Sequence, residues 1–455
     1  MKKFFLSVAM LCFAAQMFGK GVDEATAMKA GQNFMRANAN IKSVEKCELA
    51  YKLTSNRGTT SLYVFNINDN SFVVVAGDDI ATPILGYSTN GKYDENNAPE
   101  ALMGYLGGFD DEIVKAVNQK SVASDVVARQ WTNVLNDGHI KGCDTDTVTI
   151  VEPLMNVFWN QGVPYNTLCP RDPDGPGGHV YTGCTSTAMA MLMRHWEFPT
   201  SGIGSHTYTP SGYPEQSVDF ENAYYNYSLM DSVLTEDSEI QRIIEVARFM
   251  WHCGVSLSST YGPDGTSAIP SHVPSIMKAH FKYAQSTHLE NKSSYNAQQW
   301  MAMVRESLDA GEPLHYSGWN SSGGGGHSFI CDGYQTNDLF HFNWGWGGSY
   351  DGFFALDAML VANYDFSYNH IAVFDAVPAL EYCVAPENII AKVEGNDVHV
   401  QWNGAEYAQT YNVYRDGELI GNAQENSYWD LGLENGTYKY EVTTVCNFGE
   451  SQNAN

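Results

Sequence analysis

Apolar and polar positions change their period along this chain in a way that divides it into three units. Residues 24–38, opening Glu24-Ala25-Thr26-Ala27-Met28-Lys29-Ala30, read as a helix. Alternating strands follow in Ser61-Leu62-Tyr63-Val64-Phe65-Asn66 and Ser71-Phe72-Val73-Val74-Val75-Ala76, with Asp69-Asn70 as the turn between them. Residues 99–118 are helical again, and a polar stretch from Asn136-Asp137-Gly138 to Asp146 closes this α+β unit. The second unit runs from Val151 to about Leu380. Its pattern predicts helices over 184–196, 239–251 and 296–309, then strands near 314–318, 327–334, 339–343 and 352–356, punctuated by glycine. A helix-rich half followed by a strand-rich half implies two lobes with a cleft between them. Between 384 and 455 segments of period 2 recur, as in Val398-His399-Val400-Gln401-Trp402, Tyr411-Asn412-Val413-Tyr414 and Gly436-Thr437-Tyr438-Lys439-Tyr440-Glu441-Val442.

In this last unit, a Trp on an early strand and a Tyr after a glycine turn resemble a fibronectin type III sandwich. The chain stops after Asn447-Phe448-Gly449, where a final strand is expected, so either that strand is missing or the sequence is incomplete.

A chain of 455 residues is too long for one ordinary domain, in keeping with three units. With 44% hydrophobic and 13% aromatic residues it has the apolar material for real cores. Its formal charge of −27 argues against nucleic acid and against anionic membrane surfaces as partners. Lys2-Lys3 precede an apolar stretch from Phe4 to Phe18, too short to span a bilayer and placed as a signal peptide would be. Ala15 or Gly19 would end it, and Cys12 lies inside its apolar core, against a lipoprotein anchor. No other segment looks membrane-spanning.

Eight cysteines follow the leader: Cys47, Cys143, Cys169, Cys184, Cys253, Cys331, Cys383 and Cys446. Export permits disulfides, but these wide, irregular spacings are not the framework of a small stapled domain. If Cys184 stays free, at least one more of the remaining seven must be unpaired. The chain has no CxxC pair and no HExxH motif, so a zinc site has little support.

The candidate chemistry gathers around Cys184, in Gly183-Cys184-Thr185-Ser186-Thr187-Ala188-Met189-Ala190. A buried cysteine is usually a small hydrophobe. Here Gly183 frees the backbone to turn, and the following helix would aim unpaired N–H groups and its positive dipole end at the sulfur, favouring thiolate. Met189, Leu192, Met193 and Trp196 are the core face of that helix, and His195 reads as structural. His327 ends the run Gly323-Gly324-Gly325-Gly326. No Lys-Ser/Thr follows, so a phosphate loop is a poor reading, whereas a glycine run beside a general base lets a substrate backbone approach closely. Asn343, in Asn343-Trp344-Gly345-Trp346-Gly347-Gly348, could accept the second imidazole proton through its amide oxygen, with Trp344 covering that bond from water. Gln161, in Trp159-Asn160-Gln161-Gly162, can donate to a developing oxyanion together with the Cys184 N–H.

The order Gln161, Cys184, His327, Asn343 is that of papain-like peptidases, and the local motifs resemble the streptopain family of bacterial cysteine peptidases. The matching segments are Asn160-Gln161-Gly162-Val163-Pro164-Tyr165-Asn166, Thr182-Gly183-Cys184, Tyr261-Gly262-Pro263, Gly326-His327-Ser328-Phe329, Asp332-Gly333, and His341 through Gly348 with Asp351-Gly352-Phe353-Phe354. The 61–90 region, with Gly77-Asp78-Asp79 and Leu85-Gly86-Tyr87-Ser88, resembles the inhibitory propeptide of that family. The resemblance implies Cys184 as nucleophile, His327 as general base, Gln161 as oxyanion donor, and Asn343 and Trp344 as supports of the histidine. Ser267 to Ser271 corresponds to a substrate-lining loop, so Ser271 and Gly326 are the substrate-binding candidates. Ile269-Pro270 stands there where the family is small and flexible.

The expected architecture is α+β: a leader (1–19), an inhibitory propeptide (20–148), a papain-like two-lobed catalytic domain (149–382) and a fibronectin type III-like sandwich (383–455). The expected activity is that of a cysteine endopeptidase exported by a bacterium as a zymogen, cut between the first unit and Val151. Its partners are protein or peptide substrates and its own propeptide. No metal or organic cofactor, nucleic acid or membrane span is called for. A thiol amidase or cell-wall hydrolase would use the same residues, and an adhesin would use the sandwich. Every candidate catalytic residue precedes the sandwich, which is therefore expected to be dispensable for chemistry.

Overall fold

A computed structural model describes residues 19–39, 41, 43–55, 58–140, 150–318, 326–335, 337–359 and 370–453. The leader through residue 18, Cys143, the Lys141 to Asp146 part of the polar stretch from Asn136 to Asp146 where the cut is expected, and Gly323 to Gly325 lie outside the described residues.

The first unit begins with helix α1 (Glu24–Asn38), capped by the Asp23 carboxylate, which accepts from the Thr26 N–H at 2.7 Å. Four strands follow as an antiparallel meander: β1 (Cys47–Thr54), β2 (Thr60–Ile67), β3 (Ser71–Ala76) and β4 (Ile84–Ser88). Then come α2 (Glu100–Asn118) and α3 (Asp125–Asn136). Three of these elements, β1, β4 and α3, go beyond the expected ones. Strand β1 is an edge whose side chains are mostly exposed or half-buried, which hides its alternation. Helix α3 is capped by Ser124 and buries Val127, Gln130, Trp131 and Val134, one face at helical spacing.

The second unit contains α4 (Cys184–Trp196), the hairpin β5 (Ser205–Tyr208) and β6 (Gln216–Asp219), α5 (Ile240–Ser256), α6 (Val273–His280), β7 (His288–Asn291) and α7 (Ala297–Asp309). The strand-rich half supplies β8 (Leu314–Gly318), β9 (His327–Tyr334), β10 (Leu339–Asn343), β11 (Gly352–Ala355) and β12 (Ile371–Phe374). The expected helices and strands are all present, with α5 running on to Ser256. In the helical lobe Met189, Leu192, Phe249 and Met250 share an apolar core.

The first unit is joined to this strand-rich half by pairing of β4 with β11, Gly352 opposite Ser88 and Phe354 opposite Gly86. The result is one ten-stranded sheet in the order β1-β2-β3-β4-β11-β10-β9-β8-β12-β7. A Cβ on Gly86 would lie 2.3 Å from the Phe354 ring, so glycine is what lets that ring pass. Phe72 and Tyr105 of the first unit and Phe342, Trp344 and Phe354 of the second belong to one continuous core.

The third unit is a sandwich of two antiparallel sheets. Its strands are β13 (Glu387–Glu394), β14 (Asp397–Asn403), β15 (Thr410–Arg415), β16 (Glu418–Ala423), β17 (Ser427–Asp430), β18 (Tyr440–Cys446) and β19 (Gly449–Glu450), ordered β13-β14-β17 and β16-β15-β18-β19. Val398, Val400, Trp402, Tyr411, Val413 and Val442 fill its centre. Beyond Phe448 only Gly449–Glu450 pair with β18, as the two-residue strand β19. A disulfide, Cys383–Cys446, ties the start of this unit to the end of β18. Cys47, Cys169, Cys184, Cys253 and Cys331 are free thiols.

The sandwich rests on the far end of α4. Phe198, fully buried, meets Tyr407 at 4.9 Å and Phe448 at 5.2 Å, and the Asn447 amide donates to the Trp196 carbonyl at 2.7 Å. Thr200 donates to Glu406 at 2.6 Å and lies 2.9 Å from the Tyr407 hydroxyl. Among the described residues no helix is long and apolar enough to cross a membrane.

Candidate active site

Cys184 is the first residue of α4, and Gly183 before it has φ 91°. That is the left-handed region, which an L side chain rarely adopts. Space imposes glycine as well, because a Cβ there would lie 2.8 Å from the Thr266 carbonyl oxygen. The chain thus turns sharply and delivers the thiol at a helix N-terminus.

His327 opens β9 and stands opposite Gly318 of β8. The two half-buried side chains meet between the lobes, and each shifts the other. Burial pushes the Cys184 thiol up, but the hydrogen bond and charge of His327, the Ser328 N–H and the Thr185 hydroxyl outweigh it and hold the thiol below its usual range. Burial pulls the imidazole down, and Cys184 and the Glu100 carboxylate more than reverse that. Both directions favour a thiolate beside an imidazolium.

Gln161 is tied through its backbone to the segment that leads into Cys184. The Thr182 N–H donates to the Gln161 carbonyl at 3.0 Å, fastening the residue to the loop that ends in Cys184. The Gln161 N–H itself donates to the Asn160 side chain at 2.6 Å. The loop from Thr266 onward starts against Gly183, and Ser271 lies exposed in a single 3-10 turn, Pro270–His272, beyond exposed Ile269. Gly326, exposed, directly precedes His327.

Asn343 departs from its expected role. It is buried, its amide nitrogen donates to the Val157 carbonyl at 2.7 Å, and its oxygen accepts from the Gly345 N–H at 3.1 Å. The group facing Nε2 of His327 is instead the Glu100 carboxylate, at 3.4 Å, from the first turn of α2. Gly104, one turn further along α2, also faces the imidazole. The reason is geometric: α2 lies across β8 and β9, so its first turn covers the histidine, while the Asn343 amide is turned toward the segment before α4.

Trp344 is buried with its ring 4.7 Å from Phe329 and 5.8 Å from Tyr105. Its Nε1 donates to the Tyr350 carbonyl at 3.0 Å, and its backbone N–H to Asp351 at 2.9 Å. Thr182 and Ser328 stand in the matching motifs without a role of their own, and Glu100 lies outside them. Only the helix-start position of Glu100 after Pro99 was a visible signal.

A thiol and an imidazole that perturb one another between two lobes, with a separate unit lying on the imidazole, define a papain-like cysteine peptidase in precursor form. Comparison with known proteins agrees. The Peptidase C10 family matches residues 159–354, and the Spi protease inhibitor family matches residues 19–113. The chain is 30% identical over 368 residues to streptopain of Streptococcus pyogenes, covering 76% of this chain and 87% of streptopain. It is 27% identical to the thiol protease/hemagglutinin PrtT of Porphyromonas gingivalis, covering 79% of this chain and 41% of that protein. The solved structure of prointerpain A from Prevotella intermedia superposes with a TM-score of 0.59 at 28% identity, over 72% of this chain and 98% of that one. The chain belongs to the Peptidase C10 family. It is a cysteine-type endopeptidase, a hydrolase, made as a latent zymogen with an inhibitor-like prodomain.

Proposed function

We propose that Cys184 is the nucleophile and His327 the general acid and base of this peptidase. The mutual shift of the two groups at the α4 N-terminus carries the reading. The Cys184 thiolate attacks the scissile carbonyl, and the resulting oxyanion is held by the Gln161 side-chain amide and the Cys184 backbone N–H. Collapse expels the amine, which takes its proton from the His327 imidazolium and leaves a thioester. His327 then removes a proton from water, the hydroxide adds to the thioester, and carboxylate and thiolate are released.

Asn343 and Trp344 serve this chemistry by fixing the loop behind β9, through Val157, Gly345, Tyr350 and Asp351. Gly326 leaves room for substrate backbone beside the base, and Ser271 with Ile269 borders the substrate on the opposite side.

The working divisions are a leader over 1–19, the inhibitory propeptide over 20–148, the catalytic domain over 149–382 and a fibronectin type III-like sandwich over 383–455. The leader directs export from a bacterium, and the substrates are proteins or peptides. The test is incubation of the matured protein with casein, with and without the epoxide thiol inhibitor E-64. Inhibitor-sensitive hydrolysis that is absent in Cys184→Ala is the expected result, and hydrolysis persisting in that variant would overturn the assignment.

A further inference from the structure

Behind the Cys184 sulfur lies a line of hydroxyl groups. The Thr185 hydroxyl is 4.0 Å from Sγ, the Ser328 hydroxyl is 3.1 Å from that of Thr185, and the Ser317 hydroxyl is 2.8 Å from that of Ser328. Thr185, Ser328 and Ser317 are all essentially buried. Their placement follows from the elements that meet here. Thr185 is the second residue of α4, Ser328 is the second of β9 next to His327, and Ser317 is its cross-strand partner on β8. The Ser328 backbone N–H also serves the sulfur.

Hydroxyls can turn, so one arrangement lets each O–H donate toward the next oxygen and the last toward sulfur. Donors aligned in a low-dielectric setting reinforce one another and favour the charged form of the acceptor. Below Thr185, the His315 Nε2 lies 3.3 Å from the Thr185 carbonyl oxygen, and burial pulls this imidazole down to about 4, so it is neutral. The charged or titratable groups facing the sulfur region are therefore His327 from β9, neutral His315 from β8 and, in the uncut precursor, Glu100 from α2 by way of His327.

We infer that Thr185 is a positioning residue for the reaction, its hydroxyl delivering the Ser317–Ser328–Thr185 donor chain to the Cys184 thiolate. This rests on Cys184 being the nucleophile.

The test is the pH dependence of Cys184 alkylation by iodoacetamide in the matured enzyme, followed as loss of casein hydrolysis. Thr185→Val, which keeps the shape and removes the hydroxyl, should move the acidic limb of the profile upward by about one pH unit, the size of one hydrogen bond to a charged group. Thr185→Ser should restore it. Ser328→Ala, which removes the donor behind Thr185, should move the limb in the same direction by less. A Thr185→Val profile that superimposes on wild type would overturn the inference. If Thr185→Val does not fold, an unmoved Ser328→Ala profile overturns it equally. Alkylation of wild type that leaves hydrolysis intact would instead remove the nucleophile assignment itself.

Discussion

The prodomain meets the catalytic core through strand pairing, a shared aromatic core and buried polar groups, whereas the sandwich meets it through a smaller aromatic cluster and a few hydrogen bonds. On the prodomain side β4 pairs with β11, the Tyr105 hydroxyl donates to the Ala355 carbonyl at 2.6 Å, and the Ser88 hydroxyl donates to the Asp351 carbonyl at 2.6 Å. The Glu112 carboxylate accepts from the Ala358 N–H at 2.9 Å beside the buried ion pair of Lys292 and Asp357. On the sandwich side Phe198 sits among Tyr382, Tyr407 and Phe448.

The two contacts also lie at opposite ends of the catalytic helix. The prodomain covers the imidazole that faces Cys184 at the start of α4, and the sandwich rests on Trp196 and Phe198 at its end, about 18 Å away at 1.5 Å per residue. Contact with the site is what makes one attachment inhibitory. A contact remote from the site, built on Phe198 with Tyr407 and Phe448 and bonded through Asn447 and Thr200, suits an attachment that stays in place.

The largest effects separate the chemistry from both attachments. Cys184→Ala and His327→Ala should each abolish casein hydrolysis, and the double variant should lose no more, because the pair acts as a unit. Cys184→Ala should also accumulate as uncut precursor if the enzyme cuts itself, seen as full-length mass less the leader. Gln161→Ala should lower kcat by roughly 10²–10³-fold, as loss of one oxyanion donor does, with a smaller change in KM.

On the sandwich side, Phe198→Ala should destabilise the matured protein by about 3–5 kcal/mol, because it empties a fully buried site shared with Tyr283. The activity per folded molecule should hardly change. A chain ending near Leu380 should therefore keep its dyad, as expected of a sandwich dispensable for chemistry, but melt lower than the full chain. Equal melting temperatures would show that the aromatic contact contributes little.

On the prodomain side, burial first and then the nearby Asp357 charge push the Glu112 carboxyl up to about 8, with Lys292 pulling the other way. Tyr105, Tyr316 and a neutral His370 complete its surroundings. A raised value means that the contribution of Glu112 to docking is full below its ordinary 4.5 and is lost as pH rises through about 8. Glu112→Gln, which stays neutral, should match wild-type precursor stability near pH 5 and exceed it by on the order of 2 kcal/mol near pH 9. A pH-independent difference would contradict this.

Glu100→Gln should have the smallest effect, under about 1 kcal/mol on prodomain retention, since its side chain is 80% exposed.

The parts of this molecule legible from sequence are those set by local pattern. The glycine before Cys184, the helical period after it, and the strand that begins at His327 all follow from neighbours within a few residues. Helix α3 was equally local, with its Ser124 cap and its 127, 130, 131, 134 spacing, but the polar residues between hid it. The target of the Asn343 amide was not legible, because an amide can face either way and Val157, far off in the chain, decides it. Nor was the pairing of Ser88 with Gly352, which depends on tertiary register rather than on either strand. The place of α2 over His327 follows from that pairing, so the contact at Glu100 was hidden for the same reason.

The central claim is that Cys184 is the reactive thiol and that the prodomain keeps it from reacting. The most direct measurement is E-64 labelling of uncut precursor and matured enzyme side by side, with the modified residue located by peptide mass spectrometry. The account predicts stoichiometric labelling at Cys184 in the matured enzyme, none at Cys169, Cys253 or Cys331, and little labelling of the precursor. Equal labelling of precursor and matured enzyme, or labelling at another cysteine, would contradict it.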